Sequence, residues 1–411
     1  MSRLLPAEPW RRNQHVTAAM VFVVFTAFAF VLPFLPLYVR ELGVRGDDAV
    51  ALWAGVLIGV APLLAGLLAP LWGRLADRHG PKRMAVLALG GYVVLLALSA
   101  AVTSVGQLLA LRIGVGLFGG IGPLGLAMAT SLAPREQTGR AVGTIQAAQI
   151  LSAAVGPLLG GLLADLVGIR RTFLATAALC ACALALVSLC YKESPPSPAA
   201  ATRRSPFAEV LRLPGTALLL AVLFLVNFIG RSFTPILPSY IQGMGVPASR
   251  LAFATGILIS LYSAAAALSA AWLGRASRHR SPRALLVGTL VGGAVTVLPM
   301  AAVSSFGAML ALAVLLGLAS GGSLTLCYTM GGLMVPEGIR TTAFGFFSGA
   351  ALFGGAISPS VAGLLARWDL RGIFYLDTFL FVALTVGLLL GARPRAAAPE
   401  KGAVASGERL G

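Results

Sequence analysis

The chain has 411 residues, of which 58% are hydrophobic and only 11% are charged, and its mean hydropathy is +0.89. A soluble domain carries roughly 25% charged residues, so this composition excludes a soluble globular protein and indicates a polytopic membrane protein. The net charge is +17, but most basic residues lie in short segments between apolar spans, where they determine topology. Nucleic-acid binding is therefore not expected, and the lipid bilayer is the predicted partner.

Apolar windows of about 20 residues, long enough to cross a bilayer as helices, occur twelve times in the sequence. The sequence therefore predicts an all-α polytopic membrane protein with twelve transmembrane helices. Their approximate limits are 16–38, 49–72, 84–104, 107–131, 141–164, 172–190, 215–240, 251–273, 284–303, 306–332, 341–366 and 373–391.

A charged stretch rich in Pro, Ser and Ala separates the first six windows from the last six, and such a composition is typical of a flexible linker. We therefore expect an N-terminal six-helix bundle over 1–190, a cytoplasmic linker over 191–213, a C-terminal six-helix bundle over 214–395 and a disordered cytoplasmic tail over 396–411. Basic residues precede the first apolar run, as in a signal peptide. That run is about twice the length of a cleavable apolar region, so we expect it to be retained.

The distribution of basic residues predicts the orientation of the chain. With the N-terminus inside, 22 Lys and Arg residues fall on the cytoplasmic side and 7 on the opposite side. The positive-inside rule then places both termini in the cytoplasm. The remaining two basic residues, Arg112 and Arg231, lie inside spans.

The two halves of the sequence resemble each other at an offset of 201 or 202 residues, where prolines, glycines and a tyrosine coincide. Examples are the pairs Pro33 and Pro235, Tyr38 and Tyr240, Gly73 and Gly274, and Pro157 and Pro359. Because each half has an even number of spans, the repeat is parallel and its axis runs along the membrane normal. The sequence thus predicts two pseudo-symmetric bundles with a substrate site near mid-membrane between them.

The segment 73–83, GRLADRHGPKR, is a short basic turn between the second and third spans. Asp77 is its only acid, and a carboxylate there can pair with the arginines or cap a helix N-terminus. Gly73 permits close helix approach, and Gly80 permits a turn conformation closed to other residues. The pattern G-x-L-A-D-R-x-G-x-K-R resembles the loop signature of the major facilitator superfamily. The resemblance implies a gate formed by Gly73, Arg74, Asp77, Arg78, Gly80, Lys82 and Arg83.

The equivalent segment of the second half, GRASRHRSPR, keeps the basic charge but lacks the acid, because Arg278 takes the place of Asp77. We therefore expect the first loop to be the main latch, docking near the start of the eleventh span at 341–343. The alternative is that Asp77 only neutralises the local arginines and sets the topology.

Arg112 lies in the segment LLALRIGVGLFGG, residues 108–120. This segment resembles the fourth-helix motif of the same superfamily, in which an arginine is followed four residues later by a glycine, here Gly116. The resemblance implies a part for Arg112 in proton coupling. Alternatively, because Arg112 is only about five residues from the outer end of its span, its long side chain could reach the membrane interface.

The segment SAAVGPLLGG, residues 152–161, resembles the fifth-helix signature of drug:proton antiporters, G-x-x-x-G-P-x-x-G-G, with Ser152 in place of the first glycine. Small residues four apart form a flat face for close helix packing, and the proline bends the helix by removing a backbone bond. These properties suit an interface that opens and seals; ordinary membrane-helix packing is the alternative. The residues that keep the pattern are Gly156, Pro157, Gly160 and Gly161.

Arg231 lies near the middle of the seventh span, where a charge costs about 2.5–3.5 kcal/mol on insertion scales and should face a cavity or an acid. Acids inside spans are scarce: Asp377 lies in the twelfth span and Asp165 ends the fifth. A helical rise of about 1.5 Å per residue puts Arg231 and Asp377 roughly 6 Å apart in depth, so we predict that they pair. Alternatively, Arg231 faces the cavity and binds anionic substrate, or Asp377 carries a transported proton.

The central cavity of such a fold is expected between spans 1, 4, 7 and 10. Aromatic and methionine side chains would give adaptable apolar contact, and a few amides would orient a ligand. A lipid-facing or core position is the alternative for each phenylalanine. The predicted substrate-binding residues are Phe28, Phe34, Tyr38, Met128, Gln146, Gln149, Asn227, Arg231, Tyr328 and Phe346.

Taken with the resemblance, these features predict a secondary transporter of the major facilitator fold that exports small amphipathic compounds in exchange for protons. The first alternative is a proton-coupled importer of a sugar or metabolite in the same fold. A polytopic membrane enzyme is the second, less favoured alternative. The sequence has no nucleotide-binding loop of the G-x-x-x-x-G-K-[ST] type, and its cysteines and histidines are not arranged as a metal site. We therefore predict no cofactor, no metal and no enzymatic activity, and a monomer in a bacterial inner membrane.

Overall fold

A computed structural model describes residues 9–130, 138–192, 215–277, 279–334 and 340–390. This part of the chain consists of helices and the turns between them and contains no strand. Ten of the described helices are long and apolar enough to cross a membrane, by length and composition. Two shorter apolar helices, Val105–Leu117 and Thr216–Ser232, occupy the fourth and seventh predicted positions, so the predicted all-helical, multi-pass membrane fold is confirmed.

The observed helices follow the predicted windows, and each span keeps its number in the sequence. In the first half they are Pro9–Ala29 and Leu35–Glu41 (span 1), Asp47–His79 (span 2), Pro81–Ser99 (span 3), Val105–Leu117 and Ile121–Thr130 (span 4), Thr138–Val167 (span 5) and Ile169–Cys190 (span 6). In the second half they are Thr216–Ser232 and Leu237–Gln242 (span 7), Leu251–Ala276 (span 8), Pro282–Met300 (span 9), Phe306–Ser320 and Ser323–Met334 (span 10), Arg340–Leu365 (span 11) and Gly372–Leu390 (span 12). Short 3-10 turns occupy Leu32–Phe34 and Ala248–Arg250. The face that carries Pro9 and Leu390 is called the inner face, and the opposite one the outer face.

Spans 1, 4, 7 and 10 are each built from two helices. In spans 1 and 7 the break contains Pro33 and Pro235 respectively, and proline ends a helix because it lacks the N–H donor and clashes with the preceding turn. In spans 4 and 10 the break falls on glycine pairs, at 119–120 and 321–322, and glycine is a weak helix former. The breaks therefore recur at equivalent positions of the two halves.

Two tyrosines show the internal repeat in the packing. The hydroxyl of Tyr38 in span 1 donates to the carbonyl of Ser99 at 2.8 Å, and the hydroxyl of Tyr240 in span 7 donates to the carbonyl of Met300 at 2.7 Å. Each tyrosine ring also packs on a phenylalanine, of span 6 and span 12 respectively, at a centroid distance of 5.1 Å. Equivalent residues therefore tie equivalent spans together.

Each half has its own hydrophobic core. One cluster of buried side chains is drawn from residues 16–191 and the other from residues 219–388. Two residues cross over: Ala252 of span 8 joins the first cluster, and Ala51 of span 2 joins the second. These alanines are equivalent in the repeat, so they mark where each half contacts the other. Most of the predicted linker and tail lies outside the described residues, so the domain limits stay a prediction.

Candidate functional site

The two halves meet along two pairs of helices, span 2 with span 11 and span 5 with span 8. At both surfaces a glycine of one half faces a backbone carbonyl of the other. A Cβ atom on Gly256 would lie 2.2 Å from the carbonyl oxygen of Pro157, and one on Gly55 would lie 2.1 Å from that of Pro359. The two glycines are equivalent in the repeat, as are the two prolines. Both contact surfaces therefore follow the same pseudo-twofold relation.

A second glycine at each surface repeats this close approach. A Cβ atom on Gly161 of span 5 would lie 2.5 Å from the carbonyl oxygen of Ala252, and one on Gly363 of span 11 would lie 2.4 Å from that of Ala51. All these positions lie in the outer part of their spans, so the outer ends of the two halves are in backbone contact.

Spans 2 and 11 separate towards the inner face. Gly59 and Gly66 lie on the same side of span 2, because seven residues make about two helical turns. A Cβ atom on Gly59 would lie 2.3 Å from the carbonyl oxygen of Ala356, whereas one on Gly66 would meet no atom of the described residues within 4 Å. Gly349 precedes Ala356 by two turns on span 11, and a Cβ atom on Gly349 would likewise meet no atom of the described residues within 4 Å. Along the described residues of spans 2 and 11, the cleft between the halves is therefore closed at the outer face and open towards the inner face.

The glycine- and proline-containing motif of span 5 lies where three spans meet. A Cβ atom on Gly156 or Gly160 would lie 2.4 Å from an atom of span 1, whereas Pro157 and Gly161 face span 8. The flat surface is thus used twice, once for packing within the first half and once for contact with the second half.

Hydrogen bonds with serines accompany these glycine contacts. Proline bends a helix and weakens the backbone bonds beside it, and the N–H of Leu158, directly after Pro157, donates to the hydroxyl oxygen of Ser260 at 3.0 Å. On the other surface the hydroxyl of Ser360 donates to the carbonyl of Gly55 at 3.3 Å. Sequence analysis missed both serines, since a single serine in a membrane helix gives no signal of its own.

Two pseudo-symmetric halves around a cleft that is open at one face form the architecture expected from the gate-loop motif. A family model described as the Major Facilitator Superfamily matches residues 17–280 and 251–409 of the chain. The chain belongs to the major facilitator superfamily. The resemblance found in the sequence is therefore confirmed.

Curated relatives of this facilitator cover nearly its whole length. "Multidrug resistance protein MdtG" of Escherichia fergusonii is 32% identical over 369 residues, which make up 89% of this chain and 90% of that protein. The protein of the same name from Enterobacter lignolyticus is 31% identical over 388 residues, 93% of each chain. Among solved structures, a bacterial homolog of the human lysosomal transporter Spinster, in an inward-facing and occupied conformation, has a TM-score of 0.80 at 16% identity. That alignment covers 96% of this chain and 100% of the other, and at this identity it establishes the fold alone.

The gate loop of this facilitator joins the inner ends of spans 2 and 3. Gly80 ends span 2 and precedes span 3 with a φ of +88°, a conformation that favours glycine, as expected from the sequence. Lys82 donates to the carbonyl of Tyr191 at 2.8 Å, which fastens the loop to the end of span 6. The side chains of Arg74, Asp77 and the expected docking point at 341–343 of span 11 lie outside what the structure describes. The latch formed by Asp77 therefore stays a prediction.

Arg112 is buried, with 3% of its surface exposed, and its Nε donates to the carbonyl of Leu57 in span 2 at 3.0 Å. The alternative in which this side chain reaches the membrane interface is therefore wrong, because the buried guanidinium donates to a backbone carbonyl within the bundle. Leu57 lies between Gly55 and Gly59, so Arg112 supports the segment of span 2 that touches span 11. Its part in proton coupling stays a prediction.

The predicted ion pair between Arg231 and Asp377 is wrong. Asp377 is 0% exposed and accepts a hydrogen bond from the hydroxyl of Ser232 at 2.5 Å, and its Oδ1 has no hydrogen-bond partner among the described residues. Successive residues of a helix point about 100° apart, so Ser232 meets the carboxylate while Arg231 points elsewhere. The estimate of depth did not include this rotation about the helix axis.

Arg231 lines the cleft. Its side chain is exposed and lies near Tyr262 of span 8 and Gly355 of span 11. A Cβ atom on Gly355 would lie 3.5 Å from both the Cγ of Arg231 and the Oδ1 of Asn227. Spans 8 and 11 are the spans of the second half that contact the first half, so Arg231 and Asn227 lie on the cleft side of span 7. The alternative of a cavity-facing arginine is therefore favoured.

Several other predicted substrate-binding residues lie in the core. Phe34, Tyr38 and Met128 are 0% exposed, so the expectation that they line the accessible cleft is wrong for this conformation. Hydrophobic periodicity cannot separate a cleft-facing side of a helix from one that faces a neighbouring span. The side chain of Gln146 lies outside the described residues. The candidates that are half-buried are Phe28, Gln149, Asn227, Tyr328 and Phe346.

Asp165 lies at the outer contact surface, away from the cleft. Its carboxylate accepts the backbone N–H of Phe253, in the first turn of span 8, at 2.8 Å. This acid therefore joins the two halves at the outer face.

Proposed function

We propose that this facilitator exports small amphipathic, drug-like compounds across the cytoplasmic membrane by alternating access, in exchange for protons. The observation that carries the proposal is the cleft between the halves, which is sealed by backbone contacts at the outer face and open towards the inner face. Relatives that carry the name of multidrug resistance proteins support an exporter of drug-like compounds over an importer of a sugar.

The distribution of charge supports the orientation of the cleft, and the direction of transport is proposed from the names of the relatives. The side that carries the termini has 22 Lys and Arg residues, and the opposite side has 7. We therefore place the inner face on the cytoplasmic side of a bacterial inner membrane. A cleft open to the cytoplasm takes up its substrate there, which is the first step of export. Because one chain forms the whole cleft, we propose that it works as a monomer.

The side chains on the cleft support an amphipathic substrate. Asn227 and Arg231 supply polar groups on span 7, and half-buried aromatic residues supply apolar surface. A mixture of adaptable apolar contacts with a few polar groups is the usual composition of a small-molecule site.

We assign proton exchange to Asp377. Span 1 contains no carboxylate between residues 16 and 38, whereas Asp377 is buried in span 12 with a single described hydrogen bond, from Ser232. A buried carboxylate with spare acceptor capacity can bind and release a proton as its surroundings change. Asp77 and Asp165 are the alternative carriers.

Transport in inside-out membrane vesicles tests the proposal. With an acidic lumen, the facilitator should take up an amphipathic compound against its gradient, and a protonophore should abolish the uptake. Expression in an efflux-deficient host should raise resistance to the same compound. Asp377→Asn should abolish the gradient-driven uptake, whereas Asp369→Asn, at an exposed turn before span 12, should not. If well-expressed protein confers no resistance, or if transport requires substrate and proton to move together, the proposal is wrong.

A further inference from the structure

Span 8 begins without a side-chain cap from its own half, although the carbonyl of Ala248 accepts the N–H of Leu251. Its N-cap residue, Arg250, makes no side-chain capping bond in the described structure, and its first turn contains no acid. The first N–H groups of a helix have no partner within that helix and require an acceptor. Asp165 supplies one from span 5 of the other half: its carboxylate accepts the N–H of Phe253 at 2.8 Å.

The pseudo-symmetric surface lacks this arrangement. Span 2, the counterpart of span 8, carries its own acids, Asp47 and Asp48, in its first turn. The counterpart of Asp165 is Arg367, whose side chain is exposed and makes no described hydrogen bond to span 2. The cap across the halves is therefore a property of Asp165 itself and does not follow from the repeat.

This difference matters when the outer face opens. An acid within the first turn of a helix stays with that helix in every conformation, so its contribution cancels between the two states. A cap supplied by the other half is lost on opening, because the two groups move apart. Anions at a helix start are stabilised by the free N–H groups and by the helix dipole, so the bond of Asp165 favours the closed outer face alone.

Arg40 forms a second bridge at the same face. It donates to Gln242 at 2.5 Å and to Ser239 at 3.0 Å, both at the end of span 7. Arg40 and Gln242 are equivalent in the repeat, so this contact lies near the pseudo-twofold axis, over the closed end of the cleft. Arg40 also pairs with Asp47 of its own half, and it keeps that partner when the face opens.

We propose that Asp165 is the latch of the outer gate. Its carboxylate holds the outer face closed in the inward-open state by capping span 8, and breaking this cap is the step that distinguishes the outward-open state. Asp165 is thus a positioning residue that acts on the gate and does not contact the substrate.

Accessibility of a single thiol tests the latch in the full-length protein. Cys180, Cys182, Cys190 and Cys327 are free and would first be replaced by alanine. Gly355→Cys then places a reporter in the cleft, where a Cβ atom has only ordinary contacts at 3.5 Å. In right-side-out vesicles, a membrane-impermeant maleimide reaches this thiol only while the outer gate is open.

We expect Asp165→Ala to raise the rate of labelling from outside about tenfold, because a charge-assisted bond specific to the closed state is lost. Asp165→Asn should raise it less, since the amide oxygen still accepts one N–H. The matched control Arg367→Ala should leave the rate unchanged. Labelling from the inner face, measured in inside-out vesicles, should fall in Asp165→Ala.

Two results would overturn the latch. One is equal labelling from outside for Asp165→Ala and Arg367→Ala. The other is a rise in labelling of Asp165→Ala from both faces, which indicates general loosening of the bundle. The assay measures conformation without substrate, so its outcome is independent of which compound is exported and of the coupling ion.

Discussion

A single methyl group at Gly55 should prevent the outer gate from closing. In the described conformation a Cβ atom at this position would lie 2.1 Å from the carbonyl oxygen of Pro359, and ordinary contact begins at 3.4 Å. At this point the backbone of span 2 faces backbone atoms of span 11, so no flexible side chain can move aside to make room. In Gly55→Ala, spans 2 and 11 must therefore separate by about 1.3 Å, which forfeits much of the packing along that surface.

The expected magnitude follows from the cost of overpacking, which is about 1–3 kcal/mol. This cost applies to the closed outer gate alone, because the two spans are apart when the gate is open. The higher helix propensity of alanine, about 1 kcal/mol relative to glycine, acts on both states and cancels. Since 1.4 kcal/mol corresponds to a factor of ten, we expect the ratio of inward-open to outward-open molecules to fall by about 5- to 150-fold.

Gly66→Ala is the matched control, because it lies on the same side of span 2 and a Cβ atom there meets no described atom within 4 Å. The assays are the labelling of the reporter at position 355 from outside and the rate of uptake in inside-out vesicles. Gly55→Ala should raise the first and lower the second, and Gly66→Ala should leave both unchanged. Equal behaviour of the two variants, at equal expression, would refute the reasoning.

Two further predictions concern the cleft and its seal. Ser260→Ala removes the hydrogen bond from the N–H of Leu158 to span 8, which is worth about 0.5–1.5 kcal/mol in the closed state, so the outer gate should open severalfold more often in the thiol assay. Ser263→Ala on the same helix, which has no described bond to the other half, should have no effect, and identical labelling of both variants would count against the bond. Arg231→Gln removes a positive charge from the cleft, so uptake of an anionic amphipath should fall about tenfold more than uptake of a neutral one of the same size. Arg231→Lys should keep part of the preference, and an equal loss for both compounds would contradict a role in binding charge.

The fold could be predicted from the sequence because its signals are local or regularly spaced. Hydropathy averaged over about 20 residues finds the spans, and the observed helix limits lie within a few residues of most predicted windows. The repeat at an offset of 201 or 202 residues also predicted the symmetry, because prolines and glycines that break helices or permit close contact recur at equivalent positions. The recurrence of the bonds of Tyr38 and Tyr240 is the structural consequence.

The contacts between helices depend on the rotation of each helix about its axis, which hydropathy does not fix. This is why the depth estimate paired Arg231 with Asp377, whereas in the structure Ser232, the next residue, meets the carboxylate. For the same reason Tyr38 was expected in the cleft and lies in the core.

The sequence by itself determined that this protein is a twelve-span facilitator with two related halves, because those properties follow from the hydrophobic composition, the spacing of the repeat and the loop motif. Only the tertiary structure decided which glycines seal the outer face, where Arg231 points, and that Asp165 caps a helix of the other half. Each of these contacts joins residues that are far apart in the chain, and their geometry exists only once the two bundles are packed against each other.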